Sequence, residues 1–148
     1  MDFAKANALN EAIRTIAIRH RALAGALLAP LGLHPGQEVI LLTLDAKGPQ
    51  TQGQLALAGG CEAPTITGSV RKLELAGLVL RRTSPLDRRV SIVELSDRGR
   101  DLIPAVKATW RHLAEQTVAT LTSTHADHLG DLLTDLARSV TIANDQIR

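Results

Sequence analysis

The sequence predicts a mainly α fold (α+β by one small hairpin). Apolar residues recur at helical spacing along most of the 148 residues. That period gives way once, near the middle, to two short runs rich in β-branched residues, 78–83 and 90–95. Glycine or proline punctuates the boundaries between most of the periodic stretches.

The elements follow in order. Residues 4–29 carry Leu9, Ile13, Ile16, Ala17, Leu23 and Leu27 with few breakers, the pattern of a long amphipathic helix. Pro30 and the following LGLHPG end it. Residues 36–46 (GQEVILLTLDA) predict a short, strongly apolar, buried helix. KGPQTQG is a polar break in which Thr51 is a plausible N-cap. Residues 52–58 predict a short helix stopping at Gly59-Gly60, and 63–76 a second helix with Pro64 in its first turn. Ile66, Val70 and Leu73 recur there at i, i+4, i+7, and Gly77 follows as a C-cap. The two β-branched-rich runs then flank a turn containing Pro85 and Asp87, a β-hairpin. Ser96 caps a helical stretch from about 97 to 122. A last helix carries Leu129, Leu132, Leu133, Leu136 and Val140, with Thr124 as cap.

Composition narrows the function classes. One Phe, one Trp and no Tyr leave the core to Leu, Ile, Val and Ala, and argue against stacking platforms for single-stranded nucleic acid. One cysteine excludes an internal disulfide and a multi-thiolate metal site. The N-terminus lacks the pattern of a signal peptide, and no stretch reaches the roughly 18 apolar residues of a membrane span, so a soluble, cytoplasmic protein without membrane contact is expected. No nucleophile elbow, glycine-rich phosphate loop or metal triad is present, so no enzyme activity and no cofactor are expected.

Charge placement points to a polyanion. The chain carries a formal charge of only +2, yet residues 68–100 hold eight basic and four acidic residues, a local +4 that leaves the remainder at −2. Four of the arginines (Arg81, Arg82, Arg88, Arg89) fall within RRTSPLDRRV, around Asp87.

A short helix, a glycine turn, a second helix and a basic hairpin together make a winged helix-turn-helix. A helix of this length fits a major groove about 12 Å wide, and the hairpin can reach the neighbouring backbone or minor groove. On the second helix Thr65, Thr67, Ser69, Arg71 and Lys72 alternate with the apolar stripe and are the candidate contacts. On the wing, Arg81 and Arg82 are expected to face phosphates or solvent, and Arg88 and Arg89 to enter the minor groove. Asp87 can hold Arg89 or Arg88 by a charge-assisted bond, or cap the turn through its own backbone, or both.

Residues 55–100 resemble the MarR family of bacterial transcriptional regulators. The resemblance rests on Leu73, Gly77, Leu78 and Val79 at the exit of the second helix, on Asp87 and Arg89 in the wing, and on Leu95, Ser96 and Gly99 at the start of the next helix. The chain departs from the family pattern at Gly68 and Ser69, where a large or basic residue is commoner. The resemblance implies a homodimer on double-stranded DNA with a pseudo-palindromic operator, its two recognition helices about 34 Å apart. It implies a helical dimerisation region at 1–30 and 100–148 around a DNA-binding region at 31–99, within one compact domain. It also implies a repressor released by a small phenolic or other anionic ligand, with His20 and His34 near the expected effector pocket. The alternative is a winged helix that binds protein rather than DNA, which would need an exposed apolar recognition face.

Other positions carry weaker signals. Cys61 is expected to be a packed thiol. His125 and His128, at i, i+3, lack a clear third ligand, so no metal is expected. Trp110 is expected in the core.

Overall fold

A computed structural model describes residues 1–147. The chain divides into two compact units, Met1–Leu113 and a second that begins at Ala114.

In the first unit, α1 (Phe3–Leu28) starts where the Asp2 carboxylate accepts from the Lys5 N–H at 2.9 Å. Only its C-terminal end is buried, at Ala24 and Leu28. A 3-10 turn (Ala29–Leu31) leads to α2 (Gln37–Lys47). The approach to α2 is held locally: Gln37 Oε1 accepts from His34 N–H at 2.9 Å, and Glu38 Oε2 from Gly36 N–H at 2.7 Å. Both side chains are buried with these bonds made. Ile40, Leu41 and Leu44 of α2 enter the core, as the apolar run predicts.

Next come β1 (Gln50–Thr51), α3 (Gln52–Gly59), α4 (Ala63–Leu75), β2 (Val79–Thr83), β3 (Ser91–Leu95) and α5 (Asp97–Val118). The three strands form one antiparallel sheet in the order β1-β3-β2. Val79 pairs with Leu95 and Thr83 with Ser91, while Gln50 and Thr51 pair with Val93 and Ile92. The largest fully buried side chains are Leu28, Leu41, Leu55, Val70, Leu73, Val79, Val93 and Val106, drawn from α1, α2, α3, α4, β2, β3 and α5. Each contributes about 1.5–3 kcal/mol on burial. The core is aliphatic throughout: Phe3 and Trp110 are 84% and 40% exposed. An ion pair of 2.7 Å between Lys107 and Asp45 links α5 to α2.

The second unit takes in the end of α5 and α6 (Ser123–Ile147). None of the described α6 side chains is buried. No helix among the described residues is long and apolar enough to cross a membrane.

Three expectations change. The strand β1 was not foreseen: at two residues it has no periodicity of its own and exists only through its pairing with β3. The fifth helix ends at Val118, and α6 is capped by Thr122, whose Oγ1 accepts from His125 N–H at 3.3 Å, rather than by Thr124, which lies inside the helix. Trp110 is in register with Ile103, Val106 and Leu113 but is not core: it is 40% exposed, although Leu113 beyond it is buried.

Candidate nucleic-acid interface

The helix-turn-helix is fixed at each junction by local chemistry. Thr51 forms a capping box: its Oγ1 accepts from Gln54 N–H at 3.1 Å while Gln54 Oε1 accepts from Thr51 N–H at 2.9 Å. Thr51 also pairs with β3, so the start of α3 is anchored to the wing. α3 ends at Gly60, whose φ of 59° is the left-handed region that glycine enters freely. Cys61 follows, half-buried against the core, as a packed thiol should be.

α4 then presents two faces. Ile66, Val70 and Leu73 are buried, and Thr65, Thr67, Arg71 and Lys72 are exposed. Ser69 is half-buried, at the margin of the exposed face. Thr67 is partly committed to the protein: its Oγ1 lies 2.9 Å from Ala63 O and 3.2 Å from Gln52 Oε1, and its one proton serves one acceptor at a time. Arg71 and Lys72 have no carboxylate partner among the described residues.

α4 and the hairpin form one frame. Arg81 on β2 makes a 2.9 Å ion pair with Glu74 on α4. Ser96 joins three segments: its Oγ donates to Gly77 O at 2.6 Å and accepts from Gly99 N–H at 3.0 Å, while its N–H donates to Leu78 O at 3.1 Å. Gly99 is required by this closeness, since a Cβ there would lie 2.0 Å from Leu78 O. The Leu95, Ser96, Gly99 pattern is thus the joint between the exit of α4 and the start of α5.

The wing tip is held by its own hydrogen bonds. Ser84 N–H donates to Val90 O at 2.8 Å, Val90 N–H to Asp87 O at 2.9 Å, and Leu86 N–H to Ser84 Oγ at 3.2 Å. Asp87 caps the turn and faces Arg89. Its Oδ1 accepts from Arg89 N–H at 2.9 Å, an Asx-turn, and lies 3.5 Å from Arg89 Nε. The ion-pair partner of the carboxylate is Arg89 rather than Arg88, at a separation longer than a charge-assisted hydrogen bond, and the Arg89 side chain stays 93% exposed. Arg88 is exposed as well.

The outer arginines are exposed and also paired. Arg81 and Arg82 face carboxylates, Glu74 at 2.9 Å and Glu94 at 3.8 Å, rather than solvent alone. Glu74 on α4 and Glu94 on β3 are close in sequence to their partners but lie on neighbouring elements, so the pairs depend on how α4 and the two strands meet. Both arginines stay exposed enough for a second partner.

The histidines do not share a site. His34 is exposed and lines a groove of about 180 Å³ with Gln37, Lys72 and Ala76. His20 is half-buried on α1 and is not part of that groove. A larger groove of about 500 Å³ lies between the 3-10 turn, the exit of α4 and the first turns of α5, lined by Leu31, Leu75, Arg98, Asp101 and Leu102 among others. His128 Nδ1 lies 2.8 Å from Thr124 O within α6.

A capped short helix, a tight turn, a second helix with a polar outer face and a basic three-stranded wing define a winged helix-turn-helix protein. The MarR family model matches residues 33–91, from the approach to α2 through the start of β3. A probable transcriptional regulator of known structure from Pseudomonas aeruginosa is 33% identical, with a TM-score of 0.75 over 86% of this chain and 98% of that one. The HTH-type transcriptional repressor NicR of Pseudomonas putida is 35% identical over 85 residues, 57% of this chain. That match spans 54% of the repressor's own length. A mutant form of MarR from E. coli complexed with operator DNA shares the fold: TM-score 0.80, 21% identity, 92% of this chain and 99% of that one. The chain belongs to the MarR family of transcriptional regulators.

Proposed function

We propose that this protein is a homodimeric, sequence-specific regulator that binds double-stranded DNA and represses transcription until a small molecule releases it. The observation that carries DNA binding is the coupling of two exposed cationic elements. Arg71 and Lys72 on α4 and Arg88 and Arg89 on the wing are all exposed, and Glu74–Arg81 and Ser96 tie the two elements together. Thr65, Thr67, Arg71 and Lys72 approach base edges and phosphates in the major groove; Ser69 contributes from the margin. Arg89, aimed by Asp87, enters the minor groove with Arg88 beside it, and Arg81 and Arg82 meet the flanking backbone. Apart from Leu75 at its C-terminal end, which is 80% exposed, the outer face of α4 is polar, and this disfavours a protein-binding role.

Dimerisation rests on apolar surface without a partner in this chain. Leu9, Ile13 and Ile16 of α1 are 37–53% exposed, and Leu132, Leu133 and Val140 of α6 are 42–66% exposed. Residues 1–30 and 100–148 then serve dimerisation and 31–99 DNA binding. Repression is supported by the name of the Pseudomonas putida relative. A cytoplasmic location goes with this role. For the effector, His34 lines the smaller groove, and the larger one sets the Arg98 guanidinium and the Asp101 carboxylate among leucines. That lining suits a small anionic molecule with an apolar body and a hydroxyl group. His20 contributes only if the partner subunit closes a pocket around it.

Electrophoretic shift with duplex DNA from upstream of the protein's own coding sequence tests the proposal. A discrete, salt-sensitive shift is expected. Failure to bind any duplex at low salt would overturn it.

A further inference from the structure

Gly68 lies near the middle of α4, where glycine is less favourable than alanine by about 1 kcal/mol. Proteins keep glycine where φ is positive or where another atom comes too close for a side chain. Gly60 and Gly77 meet the first condition, and Gly99 the second. Gly68 meets neither: its φ is not positive, and a Cβ built on it has no neighbour within 4 Å. Nothing within the chain requires a glycine there.

Its position supplies the second observation. At 3.6 residues per turn, Gly68 falls almost diametrically opposite the buried stripe of Ile66, Val70 and Leu73. It is the midline of the outward face, flanked by Thr67 and Arg71 on one side and Thr65 and Lys72 on the other. Gly130 in α6 is equally unobstructed, so open space by itself does not single out Gly68; its place at the centre of the cationic face does.

We propose that Gly68 sets the closeness of approach between α4 and the major groove. The missing side chain lets the helix backbone lie against the base edges, leaving room for a protruding group such as the thymine methyl, while Arg71 and Lys72 reach past it to either side. A side chain at 68 would then hold the helix off the bases, even though it improves the helix. This rests on α4 being the element that enters DNA.

The test is the full-length Gly68→Ala protein, with Gly68→Ser as a second variant, measured for thermal unfolding and for binding to duplexes selected by the wild-type protein from a random pool. Melting of the alanine variant is expected to rise by about 2–4 °C. Affinity for the selected duplex is expected to fall about tenfold or more, the size of one lost base contact, and the serine variant to lose affinity as well. Unchanged affinity and base preference in both variants would overturn the proposal. So would a fall in melting temperature for both, which would place the role of the glycine inside the fold. If the wild-type protein selects no duplex, the DNA-binding role itself fails, an outcome separate from either of these.

Discussion

The winged centre of the chain and α6 carry the same kind of apolar periodicity and meet opposite fates. In α4 the i, i+4, i+7 residues Ile66, Val70 and Leu73 are all within 2% of complete burial. In α6 a longer stripe, from Leu129 to Val140, has no buried member. Helical spacing tells which face of a helix is apolar, but not whose surface covers it. Where the chain supplies the cover, the stripe is core. Where it does not, as along α6, the stripe stays exposed, and the proposed homodimer would cover it with a second copy.

Placing the same residue in both stripes separates core from exposed surface. Val70→Asp buries an unpaired carboxylate in a fully enclosed site, a penalty comparable to the whole stability of a domain. Circular dichroism should show an unfolded chain. Leu133→Asp, at a position 42% exposed, should leave helicity intact and instead shift the mass by light scattering from dimer to monomer at micromolar concentration. A dimer that survives Leu133→Asp would remove α6 from the interface, and a folded Val70→Asp protein would contradict the packing.

The joint at Ser96 gives a smaller effect. Gly99→Ala drives a methyl group into the Leu78 carbonyl, so the α5 start and the β2 start must separate. The expected loss is about 3 kcal/mol in urea unfolding. An alanine variant as stable as the parent would show that the close approach is not needed.

The wing tip gives the smallest. Asp87→Ala removes the acceptor of the Asx-turn and should lower stability by about 1 kcal/mol. Asp87→Asn keeps an acceptor and loses only an exposed ion pair, which contributes less than about 1 kcal/mol. Equal losses in the two variants would assign the stabilisation to charge rather than to the turn.

Local chemistry accounts for what was legible in the sequence. The Thr51 cap, the glycine after α4, the hairpin and the Ser96 cap are each encoded within a few residues, and all stand where the pattern puts them. The exposed Thr65, Thr67, Arg71 and Lys72 follow from period alone. Relations between separate elements were not legible. The pairing of β1 with β3, the Glu74–Arg81 ion pair and the exposure of Trp110 depend on how elements pack, which no window of sequence contains. Asp87 lies between the two cases: its capping role was readable from its type and place in the turn, but its choice of Arg89 over Arg88 needed the geometry of the tip.

In the proposed complex, exposed cations of α4 and the wing neutralise DNA phosphates. The most direct measurement is the dependence of the observed binding constant on salt for the wild-type protein and for Arg89→Ala. A log–log slope several units negative is expected for the wild type, since each phosphate contact contributes about −0.9. A slope shallower by about one unit is expected in the variant. Salt-independent binding by the wild type, or an identical slope and affinity in the variant, would contradict that neutralisation.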